Sequence, residues 1–107
     1  MADTDNYILD GHKVVPATIE QWLDWFGTAN RHFVDVTILD DGTRVSTVFL
    51  GIDHNFGGDG PPLLFETMVF PPEPDYGGDL YMERCSTWEE AEDMHKRAVE
   101  KFSNASS

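Results

Sequence analysis

The sequence predicts one α+β domain of two layers, a mostly antiparallel sheet of four or five strands with two helices packed on one face. Three observations carry that reading. Two segments, one beginning at Thr18 and one at Ser86, repeat apolar residues at helical spacing behind a capping signal. The remaining apolar runs are short, rich in β-branched and aromatic residues, and separated by Gly, Pro and Asp. At 107 residues, 40% hydrophobic and 12% aromatic, the chain fits a single domain with a core of its own.

In chain order, residues 1–6 are polar and expected to fray. Tyr7-Ile8-Leu9 and Lys13-Val14-Val15 are short extended arms joined by Asp10-Gly11-His12, and Asp-Gly between apolar runs is a hairpin signal. Pro16 ends that stretch. Thr18 then caps a helix, with Gln21 completing a capping box. Ile19, Trp22, Leu23 and Phe26 fall on one apolar face, Trp25 lies beside it, and Gly27 stops the helix. Trp25, off the stripe, is the tryptophan best placed to be exposed and to anchor a partner.

Val34, Val36 and Ile38 alternate with Asp35 and Thr37, as in a half-buried strand. Asp40-Asp41-Gly42-Thr43 is a tight turn, and residues 44–52 return as the partner strand. This strand is apolar on both sides, which makes it central and helix-covered on one side. A Gly- and Pro-rich loop, residues 53–62, leads to a strand over 63–70, also apolar on both faces with Glu66 in its middle. A second loop, Glu73 to Asp79, precedes a short strand over 80–85. Ser86, with Glu89 as its box partner, opens the last helix. Its stripe is Trp88, Ala91, His95, Ala98 and Phe102, with Met94 and Val99 beside it. The tail from Ser103 is polar and expected to be disordered, so the ordered domain spans residues 7–102.

Net charge is −13, from 20 acidic against 7 basic residues. That argues against nucleic acid and anionic membrane as direct partners, both of which demand positive charge. It favours a partner with a basic surface. The densest acids, Glu89, Glu90, Glu92 and Asp93, crowd the first turns of the last helix, where they also offset the helix dipole. A single cysteine, Cys85, forms no intrachain disulfide and no multi-Cys zinc site, which fits a reducing cytosol. No apolar run reaches the ~18 residues of a membrane span, and the acidic N-terminus is the opposite of a secretory signal.

Few constellations invite chemistry. Asp53 and His54 adjoin the loop, but neighbours on an extended chain point to opposite sides, and no HxH, HxxxH or HExxH spacing appears. Glu66 needs solvent, a pocket or a cation, and Arg44 or Arg84 on a neighbouring strand is the expected partner. Gly57, Gly58 and Gly60 lack the Lys-Ser/Thr ending and following helix of a phosphate loop, and Asp59 would repel a phosphate. Cys85 reads as a buried, inert thiol and His95 as a satisfied core histidine. No catalytic residue, metal site or cofactor is assigned. The candidate contact residues are Asp53, His54, Asn55, Phe56, Asp59, Glu66, Trp25, Glu89, Glu90 and Asp93.

The runs YILDGHKVVP, TIEQWLDWF, RVSTVFLGIDHNFGGDGPPLLFETMVF and YMERCSTWEEAEDMHK resemble a family of small uncharacterised bacteriophage and prophage proteins. The resemblance covers residues 7–95. VSTVFLG-DH with PPLLFETMVF carries its specificity. Cys85 stands where the family's pattern has Tyr. The resemblance implies expression in a host cytoplasm and brings no catalytic residues. Accessory proteins of this size from phages often inhibit host defence, anti-CRISPR proteins among them.

The leading expectation is therefore a phage or prophage accessory protein that binds a basic host or phage protein, with a second copy of itself as a further admissible partner. One alternative is a small-ligand, nucleotide-like binder built on the Gly-rich loop and Glu66. Another is a hydrolase or metal-dependent enzyme using Asp53, His54 and Glu66.

Overall fold

The computed structural model describes residues 6–27, 32–53, 60–72 and 80–105. Within them the elements run β1 (Tyr7–Asp10), β2 (Lys13–Pro16), α1 (Ile19–Phe26), β3 (Phe33–Ile38), β4 (Arg44–Phe49), β5 (Phe65–Phe70), β6 (Tyr81–Cys85) and α2 (Trp88–Ala105). The fold is α+β. β1 and β2 form a hairpin, and β3-β4-β5-β6 form a four-stranded antiparallel meander. α2 lies across the meander and touches all four of its strands.

The local signals act largely as expected. Gly11 turns the first hairpin at φ 64°, the left-handed region that only Gly enters without cost. Thr18 and Gln21 make both bonds of the capping box, 3.1 and 2.9 Å. Asp41 Oδ1 accepts from the Thr43 amide at 2.9 Å and closes the turn between β3 and β4, and these bonds hold its carboxyl below the usual range. The hairpin is sewn to the end of β4. Asn6 bridges Ile52, and the Tyr7 amide donates to the Gly51 carbonyl at 2.7 Å.

The core is a sandwich of α2 on the sheet. Phe49, Leu64, Phe65, Val45, Val69 and Met94 are all but sealed from solvent. Each contributes about 1.5–3 kcal/mol of burial free energy. Two expectations of facing fail and one cap shifts, each for a visible reason. On α1, Ile19 and Leu23 are exposed (54% and 58%) while Trp25 is buried against Phe49. Trp22, Trp25 and Phe26 stand at i, i+3 and i+4, and three aromatic rings bury more surface than two aliphatic chains. Trp25 is therefore a core residue and no exposed anchor.

On β3, Val36 and Ile38 point outward, 43% and 62% exposed. A bulge between Phe33 and Asp35 puts Val34 and Asp35 in succession on the α2 side and inverts the alternation beyond it. At α2, the cap is Thr87 with Glu90, one residue later than expected. Thr87 Oγ1 accepts from the Glu90 amide at 3.1 Å, and Glu90 Oε1 accepts from the Thr87 and Ser86 amides at 3.2 Å. The helix also continues to Ala105, past the polar tail expected from Ser103.

Candidate functional site

Beneath α2 the sheet carries a polar centre. His95 is 3% exposed and faces β3, β4 and β5. Its Nδ1 lies 2.7 Å from Thr47 Oγ1 and its Nε2 2.9 Å from Thr37 Oγ1. Thr47 in turn shares a 2.5 Å hydrogen bond with Thr67, one register partner further along the sheet. Asp35 Oδ2 stands 3.6 Å from Nε2 on the solvent side. Burial pushes the imidazole pKa down, and the Asp35 charge offsets part of that. Each ring nitrogen has a hydroxyl partner that donates or accepts as needed. The centre is a satisfied buried network with its reactive atoms closed to solvent.

Among the described residues no helix covers the opposite face of the meander. Register and alternation place three rows there: Ile38-Arg44-Phe70, then Val36-Ser46-Met68-Met82, then Phe33-Val48-Glu66-Arg84. Phe33, Val36, Ile38 and Met82 are 43–62% exposed. The face is apolar at its centre and carries two guanidiniums against one carboxylate. Arg84 Nε donates to Glu66 Oε2 at 3.0 Å, the cross-strand pair expected for Glu66. Arg44 lies over the Phe70 ring, 4.5 Å from its centroid.

The acids gather elsewhere. On α2, Glu90 is spent on the cap and Asp93 pairs with Arg97 at 3.0 Å. Arg97 also reaches Glu83 at 3.5 Å. Glu89 and Glu92 are exposed and have no ion-pair partner among the described residues. A shallow cleft on the side of the paired acids is lined by Leu63, Cys85, Ser86, Glu90, Asp93 and Arg97. Burial, with help from Glu90 and Glu83, pushes the Cys85 thiol up to about 11, so it is an inert group at neutral pH.

The sequence candidates therefore separate. Asp53 Oδ1 accepts from the Leu63 amide at 3.0 Å and pins the base of the Gly-rich loop. Glu66 belongs to the bare sheet face, Glu89, Glu90 and Asp93 to α2, and Trp25 to the core. His54, Asn55, Phe56 and Asp59 lie outside the described residues, as does the loop from Glu73 to Asp79. No group of three or more His, Cys, Asp or Glu among the described residues is placed to hold a metal. No described helix is long and apolar enough to cross a membrane.

Sequence reasoning missed the apolar row Val36-Met68-Met82 as a surface. The signal was present, since strands apolar on both faces need two covers. Among proteins of known family, curated proteins and solved structures, none matches this chain.

Proposed function

We propose that the chain works by binding, as a phage or prophage accessory protein that engages a basic protein surface in the host cytoplasm, in the manner of inhibitors of host defence. The observation that supports this is the placement of unspent negative charge. Of the acids at the start of α2, Glu89 and Glu92 are exposed and unpaired among the described residues, on a chain of net charge −13. A carboxylate paired with a guanidinium has its field largely cancelled by that cation, whereas a free one steers and holds a cationic surface. The same α2 turn is rigid, because Thr87 and Glu90 cap it, so the charges are presented in a fixed geometry.

The test is affinity capture of a basic protein from bacterial lysate across a salt titration, with Glu89→Gln/Glu92→Gln as the matched variant. The captured protein elutes as salt rises to about 0.5 M, where screening is nearly complete. It is lost from the variant. Capture that is indifferent to salt, or equal with the variant, would overturn the assignment. Glu90 is left intact in this variant because it caps the helix.

A further inference from the structure

We propose that the bare face of the meander seats a second copy of this chain, the two sheets packing face to face about a two-fold axis. The surface demands a cover. Its central row, Val36-Ser46-Met68-Met82, has no charged member, and Ile38, Phe33 and Phe70 flank it. Contiguous exposed apolar surface of this kind marks an interface.

Charge selects the occupant. Two chains of −13 repel each other, so they associate through the part of the surface where acids are fewest. The bare face is such a part. Its charged residues are Arg44, Arg84 and Glu66, and Glu66 is already committed to Arg84. A basic protein would meet two guanidiniums there, which leaves that class of partner to α2.

Register supplies self-complementarity. Arg44 stands in the row at one end of the face, and Glu66 with Arg84 in the row at the other. Residues 44 and 48 of β4 are separated by about 14 Å along the strand. A two-fold axis in the interface, running across the strands along the central row, lays each β4 antiparallel over its copy. The Arg44 end of one sheet then covers the Glu66 end of the other, twice. Each Glu66 gains a second guanidinium, and Met68 and Met82 meet the same row of the second copy near the axis. Methionine is well suited to such a self-contact, because it repacks without a fixed shape.

The plan area is roughly 350 Å² per copy from strand spacing and rise, short of the about 800 Å² per partner of a standard interface. The dimer is therefore weak and concentration-dependent, not permanent.

Sedimentation velocity from a few to several hundred micromolar tests this. The wild type passes from monomer to dimer over that range. The dimer strengthens between about 0.1 M and about 1 M salt, because screening relieves repulsion while apolar burial persists. Val36→Lys/Met82→Lys stays monomeric throughout with an unchanged circular dichroism spectrum. Arg44→Glu, which opposes carboxylate to carboxylate, weakens the dimer at least about tenfold. If the double variant fails to fold, Ile38→Lys at its 62% exposed position reads the same contact. A wild type that remains monomeric, or a dimer that survives both lysine variants, overturns the proposal. Neither outcome bears on capture through Glu89 and Glu92, which salt weakens and the lysine substitutions leave intact.

Discussion

His95 links the helix layer to three strands through two nitrogens, and its protonation is tied to the stability of the whole. Burial holds its pKa below the ordinary value of about 6.5 despite Asp35. Between that ordinary value and the depressed one, the unfolded chain binds a proton that the native chain refuses. Stability therefore falls as pH drops through about 6.5 and goes on falling until the native imidazole is itself protonated. Thermal melts between pH 7 and pH 5 should show a decline in the wild type that is shallower in His95→Gln. An identical decline in both would assign the pH dependence to groups other than His95, and not to Asp41, whose depressed carboxyl loses its contribution only at lower pH. Glu66 behaves differently at this scale. Its partner Arg84 is its direct cross-strand neighbour, so that pair could be anticipated from strand order alone.

At the scale of elements, α1 docks on backbone as well as on side chains. Gly51 has φ 75°, and a Cβ there would overlap the Trp22 and Phe26 rings. Gly51→Ala combines a left-handed penalty with overpacking, and we expect a loss of about 2–4 kcal/mol. Urea denaturation checks it, with a lowered midpoint and unchanged slope. A loss below about 0.5 kcal/mol would mean that α1 shifts freely and is not seated on that glycine.

Element existence was well marked in the sequence, because caps, turns and strand period are local. Facing was less so. β3 keeps its period of two yet shows the opposite side, since a single bulged residue at the start of a strand reverses everything after it. The slip of the α2 cap has a similar origin. Ser86-Thr87-Trp88-Glu89-Glu90 offers two overlapping capping boxes, and only the packing of Trp88 and Ala91 on the sheet decides between them. Of the candidate site, the carboxylates of α2 were legible from their spacing. The bare apolar face was not, because it exists only once four strands are placed in register.

For the molecule as a whole, charge and apolar surface are sorted to different sides. Self-repulsion at −13 opposes compactness, so raising salt from low levels to about 0.5 M should raise the melting temperature by a few degrees when measured at low micromolar protein. A fall would mean that the ion pairs of Arg84 and Arg97 outweigh the net field. The meander also has a temporal consequence. Every strand of it pairs with its neighbour in sequence, so the sheet is complete before α2, which follows β6, can reach it. Once free in solution, the sheet is water-averse on both sides until α2 lies down on it. A chain cut after Cys85 would thus keep the sheet without its helical cover and is expected to be a strong client for chaperones.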